Sequence, residues 1–289
     1  MKRFYFVGAV VAMFLLNSCD QGGPETLDTA ESPAETANEE VVEPYFKEER
    51  NGIILTEASD SPSFHDAALS LEKPDLSKNL NAGKNTFTFN VKNFELGSST
   101  PGEEHRPCAV SEKGQHIHWI LNNTPYTAHY EPVIEKELEP GKHLLLAFLS
   151  RSYHESIKNN TAYILKQLNV GENKDQEDYN LNAPHLFYSR PKGEYEGEDT
   201  KKLLVDFYLV NTNLSENGNR IQLTVNETSF ILTKWVPYQL EGLPMGENTV
   251  RIQLVDKAGM PVAGPFNDSG DRKIILKPSA DQASHTHSH

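Results

Sequence analysis

The chain has 289 residues and a formal net charge of −14, from 27 Lys and Arg against 41 Asp and Glu. No basic patch is available to neutralise phosphates, so a nucleic-acid partner is not expected. Two cysteines, Cys19 and Cys108, are too few for a disulfide scaffold, and stability must come from core packing.

The N-terminus reads as an export signal. Lys2 and Arg3 precede an apolar run over residues 4–16, and Leu16-Asn17-Ser18-Cys19 follows. The order of charge, apolar run and small residue is that of a secretory signal, and the run is short for a permanent membrane helix. The closing Cys resembles a bacterial lipobox, which implies that residues 1–18 are removed and Cys19 is lipidated. The expected location is therefore the cell envelope, with the membrane as partner through Cys19, at the outer membrane. Residues 19–49 form the next segment. Between 20 and 46 there are eight acidic residues and no Lys or Arg. Such a stretch cannot bury enough apolar surface to offset its ordering entropy, so a disordered tether is expected.

The body of the chain repeats itself. Ile117, Leu121, Asn122, Tyr126 and Gly141 match Ile221, Val225, Asn226, Phe230 and Gly246, and residues 86–91 correspond to 203–208. The simplest account is two copies of one domain. Short β-rich runs at 53–56, 86–91, 116–121, 126–130, 143–149 and 162–170 are separated by turn residues, and long helical periodicity is absent. The predicted fold is all-β: two tandem immunoglobulin-like antiparallel β-sandwiches after the tether. The boundaries are 50–170 for the first, 171–183 for a polar linker, 184–278 for the second and 279–289 for a His-containing tail.

The candidate chemistry lies in residues 116–130. Successive strand residues face opposite ways, so Ile117, Trp119 and Leu121 share a core face, as do Ile221, Leu223 and Val225. His116 and His118 then point outward. Pairing Leu121 with Tyr126 around the turn sets His118 opposite His129. His116, His118 and His129 would form a surface triangle able to bind Zn²⁺ or Cu²⁺, with His143 as a further ligand candidate. The aligned positions in the second copy are Arg220, Gln222, Thr233 and Asn248, so the fold does not require histidine there. Three outward histidines can equally be solvated surface residues. Cys108 is open to three roles: a buried apolar residue, a metal ligand or a free thiol.

The loop holding Arg151, Tyr153 and His154 suits polar recognition of an anionic group or protein surface. Phosphate loops, nucleophile elbows and His-Glu-x-x-His are absent. A zinc-bound water with Glu104 or Glu155 as base is the one enzymatic route in view, and a non-catalytic protein is expected. The phrases HIHWILNNTPY, SRSYHES, LFYSRPKG, DFYLVNT and WVPYQLEGLPMG resemble an uncharacterised family of Bacteroidota cell-envelope lipoproteins with tandem sandwich domains. Some members are labelled phosphopeptide-binding. The resemblance covers nearly the whole folded region and implies an envelope lipoprotein without supplying a mechanism. Two functions follow as alternatives: a metal-binding envelope protein, or a module that binds a protein or glycan.

Overall fold

The computed structural model describes residues 46–58, 61–106, 108–172 and 176–279. Cys19, the signal, nearly all of the tether and all but the first residue of the His-containing tail lie outside them. The chain opens with β1 (Lys47–Arg50) and β2 (Ile53–Glu57). Then come β3 (Ala68–Lys73), β4 (Gly83–Lys92), β5 (His116–Leu121), β6 (Thr127–His129), β7 (Val133–Leu138), β8 (Gly141–Ser150) and β9 (Tyr163–Val170). A second series follows: β10 (His185–Arg190), β11 (Gly193–Glu196), β12 (Leu203–Val210), β13 (Arg220–Val225), β14 (Thr228–Leu232), β15 (Tyr238–Glu241), β16 (Gly246–Val255) and β17 (Arg272–Lys277).

These strands make four sheets and two sandwiches. The first sandwich faces β3-β4-β7 against β6-β5-β8-β9, and the second faces β1-β2-β15-β12-β10 against β11-β17-β16-β13-β14. The pairs are antiparallel except β11 with β17. Ile117, Trp119, Leu145, Ala147 and Leu149 meet Phe87, Phe89 and Ile134 in the first core. Ile221, Leu223 and Val225 meet Phe207, Leu209 and Tyr238 in the second. Strand alternation thus places the core faces where the sequence put them.

The expected start of the first sandwich at residue 50 is corrected. Ile53–Glu57 pairs with Tyr238–Glu241, and Ile53 and Leu55 are buried in the second core. The reason is an open edge: β15 offers unpaired backbone groups on the side away from β12, and an alternating strand whose first and third residues are buried aliphatics fills it. The first sandwich therefore begins with β3.

The repeat is closest in the hairpin that follows β5 and β13. Asn122 and Asn226 both adopt left-handed backbone, φ 52° in each. Asn122 Oδ1 accepts from Leu144 N at 2.9 Å, and Asn226 Oδ1 accepts from Thr249 N at 2.9 Å. Asn tolerates this conformation better than most residues.

A third apolar cluster joins the sandwiches. Ile120, Leu144, Leu146 and Phe148 on the outer face of β5 and β8 pack on Phe187, Tyr208 and Val210 of β10 and β12. Phe148 stacks on Tyr208 at 4.6 Å between centroids. Polar contacts reinforce it. Asn123 Oδ1 accepts from Tyr188 N at 2.9 Å, and buried Asp206 pairs with Lys158 at 2.5 Å and accepts from Ser156 Oγ at 3.0 Å. The linker contributes as well, since Tyr179 and Leu181 pack on the same cluster. The face expected to be outward is thus covered by the second sandwich.

Candidate functional site

His116 and His118 leave β5 on its Ile120 side, so both are 0% exposed. This corrects the surface site expected from alternation. Period two says which residues share a face; it cannot say whether that face meets water or another sheet.

His129 does not join them. The register pairs Ile117 with His129 and His118 with Ala128, one residue away from the expected pairing. The turn closes tighter than predicted, with Thr124 N donating to Leu121 O at 3.0 Å. Pro125 and Tyr126 then fall outside the ladder. A slip of one residue moves every side chain to the opposite face. His129 consequently sits on the Trp119 side, 2.8 Å from Thr127 Oγ1. Burial first, then the Lys136 ammonium, pushes its pKa down to about 4.

The third histidine is His154, from the loop after β8, held in left-handed backbone at φ 66°. Its Nδ1 lies 3.1 Å from His116 Nε2, and His116 Nε2 lies 2.8 Å from His118 Nε2. Ligand atoms of His116, His118 and His154 all fall within 4.8 Å of one another. His116 Nδ1 donates to Gly114 O at 2.8 Å. A carbonyl can only accept, so this contact fixes the proton on Nδ1 and leaves the Nε2 lone pair aimed at the other two rings. His118 Nδ1 is 3.3 Å from Ser189 Oγ of the second sandwich. Each such outer contact is the kind that orients a metal-bound imidazole.

Burial is the leading cause that holds all three rings neutral. It pushes His116 down to about 4, with Arg190 and His129 adding to it and the Gly114 carbonyl opposing. His118 and His154 are also shifted well down by burial, His118 next by His116 and His154, and His154 next by Arg190. Neutral imidazole is the form that binds metal. Tyr126, which the expected pairing set opposite core-facing Leu121, instead lies flat on His118, centroids 3.7 Å apart. Its Oη is 3.3 Å from His154 Nδ1.

The other sequence candidates are committed elsewhere. His143 uses both nitrogens in the hairpin: Nδ1 accepts from Asn122 Nδ2 at 2.9 Å, and Nε2 donates to Glu139 O at 2.9 Å. Asn248 does the same in the second copy, accepting from Asn226 Nδ2 and donating to Pro244 O. The aligned Asn thus reveals His143 as a hairpin residue. Arg151 and Tyr153 are buried, at 6% and 1% exposure. Arg151 donates to Pro62 O at 2.7 Å and pairs with Glu155 at 2.9 Å. The loop expected to recognise a ligand with these two residues spends them on packing, and only His154 reaches the cluster. Cys108 is free and half-buried. Burial, then the Glu155 carboxylate, raises its thiol to about 11, so it stays protonated at neutral pH.

No family model matches the chain, and no curated protein matches it. Among solved structures, the fibronectin(III)-like modules of Clostridium thermocellum CbhA align at 14% identity over 76% of this chain and 99% of that one, TM-score 0.27. The SGBP-B protein of a Bacteroides ovatus mixed-linkage glucan utilization locus, in complex with a heptasaccharide, aligns at 8% identity over 73% of this chain and 70% of that one, TM-score 0.21. Domains 4 and 5 of the S-layer protein SbsC align at 10% identity over 75% of this chain and 100% of that one, TM-score 0.19.

Proposed function

We propose that this chain is a lipid-anchored cell-envelope protein that holds Zn²⁺ or Cu²⁺ through His116, His118 and His154. One observation carries the metal reading: the single lone pair on His116 Nε2 faces two ring nitrogens, at 2.8 and 3.1 Å. One lone pair accepts one good N–H bond. The second nitrogen then brings a crowded extra proton or a repelling lone pair unless it turns to Tyr126 Oη, 3.3 Å from His154 Nδ1. A cation in the centre removes the conflict, because all three nitrogens can then offer lone pairs. Zinc–nitrogen bonds of about 2.0–2.1 Å set tetrahedral ligands roughly 3.3 Å apart, so the rings must move to draw in a set that spans up to 4.8 Å. Leu16-Asn17-Ser18-Cys19, read as a lipobox, supports the anchor.

The role is holding or passing on the ion. Glu155 is occupied by Arg151 and by Ser61 Oγ at 2.7 Å, and Glu104 sits exposed beside His105, so neither is placed as a base.

The test is metal analysis of the full chain with His285, His287 and His289 changed to Ala. Stoichiometric Zn²⁺ or Cu²⁺ is expected, with a melting temperature that rises on adding metal by mass action. Both effects should vanish in His118→Ala. A well-folded protein that takes up no metal would sink the reading and leave the interaction module. That second reading is favoured by an open cleft of about 550 Å³ on the first sandwich, where Phe94 and Tyr130 stand among Glu95, Glu131 and Asn90. Aromatic faces beside hydrogen-bonding groups suit a glycan.

A further inference from the structure

Three nitrogens would leave a fourth position around a tetrahedral ion, and Tyr126 Oη lies 3.3 Å from one of them, His154 Nδ1. Tyr126 is 3% exposed. It precedes β6 and lies outside the ladder, so strand alternation does not dictate where its ring goes. The donor atoms run in an unbroken series. His118 Nε2, His116 Nε2, His154 Nδ1 and Tyr126 Oη follow one another at 2.8, 3.1 and 3.3 Å.

Charge bears on the same residue: burial raises the Tyr126 phenol pKa, and the neighbouring Arg190 opposes that shift. Three neutral imidazoles bring no negative charge to a divalent ion, yet two cations stand beside them. The Lys192 ammonium is 4.2 Å from the centre of the Tyr126 ring and donates to the Tyr126 carbonyl at 2.7 Å. The Arg190 guanidinium carbon is 5.5 Å from the same ring. Arg190 donates to Tyr195 Oη at 3.1 Å, while its Nε is sealed from solvent with no hydrogen-bond partner among the described residues. Both cations are half-buried, and positive charge partly withdrawn from water gains from a nearby anion. Adding a metal dication would worsen the balance unless the fourth ligand is anionic.

We propose that Tyr126 is that ligand: its phenolate oxygen completes a three-nitrogen, one-oxygen donor set, with Arg190 and Lys192 flanking the negative charge. This rests on the metal reading above. As the metal–oxygen bond forms, the phenol O–H bond breaks and the proton passes to bulk water; no electron is transferred. A hard oxygen donor beside imidazoles suits Cu²⁺ as well as Zn²⁺, and copper makes the bond visible.

The experiment adds Cu²⁺ to the full chain carrying the three tail substitutions at His285, His287 and His289. A phenolate-to-copper charge-transfer band in the visible spectrum is expected, growing until copper is stoichiometric. Tyr126→Phe keeps the ring and its stack on His118. It should still bind copper, less tightly, with the band gone and fewer protons released per ion. If Tyr126→Phe gives an unchanged spectrum and affinity while His118→Ala abolishes binding, Tyr126 is not a ligand and the histidine site stands. If no copper uptake depends on His118, both ideas fall.

Discussion

His116 is fully buried beside Gly114 O, and its ring stays neutral in the folded protein down to about pH 4. An unfolded histidine takes up a proton near pH 6.5. The folded value is the lower one, so the unfolded state binds more protons between these limits, and stability falls as pH falls. The contribution is complete above about pH 6.5 and is lost progressively toward pH 4. For His116 alone the loss is on the order of 3 kcal/mol. His118 and His154 act in the same direction. Urea unfolding of metal-free protein should show stability level above neutrality and dropping between pH 6.5 and 5, before most carboxylates protonate. His116→Asn can keep the bond to Gly114 without the titrating ring, and its slope should be shallower. Equal slopes in the two proteins would refute the assignment. At this scale the sequence exposed His116 and His118 through their spacing and His154 as a loop candidate. The convergence of His154 was hidden, because it depends on a left-handed residue closing the loop after β8.

Among the strands, the β5–β6 hairpin shows how a correct element can carry a wrong site. The alternation of Ile117, Trp119 and Leu121 fixed the core face of β5, whereas the register of β6 hung on the turn. Thr124 N and Thr124 Oγ1 both reach Leu121 O, which shortens the turn and sends His129 to the other side. The second copy was a better guide at β8. Asn248 stands where His143 stands and makes the same two kinds of bond. The expected outcome is that His143→Asn costs less than about 1 kcal/mol and leaves metal binding unchanged. His143→Ala strips partners from Asn122 Nδ2 and Glu139 O and should cost roughly 1–3 kcal/mol. Chemical denaturation compares the two, and metal uptake lost in His143→Asn would return that residue to the site.

Across the whole molecule, the sequence carried a signal that the two-domain reading left unused. Residues 144–149 of β8, Leu-Leu-Leu-Ala-Phe-Leu, are apolar on both faces, and β12 is buried throughout. Continuous apolar strands belong where both faces are covered. Their second faces meet in the cluster of Phe148, Phe187 and Tyr208. A further link was hidden, because no local pattern tells which sheet edge β2 will join. Ile53 and Leu55 complete the second core, while the chain between β2 and β10 builds the first sandwich. The two should therefore unfold together. Leu55 is 0% exposed, and Leu55→Ala should cost roughly 2–5 kcal/mol. The two tryptophans report on different places. Trp119 lies in the first core, and Trp235 donates to Phe207 O at 2.9 Å beside the second core and the shared cluster. In Trp119→Phe and Trp235→Phe backgrounds, Leu55→Ala should lower both fluorescence midpoints by the same amount, although Leu55 touches only the second core. If the Trp235 signal moves and the Trp119 signal stays, the sandwiches unfold independently. The covered face of β5 would then be able to open with the first core intact, which would give the histidines a route to incoming metal.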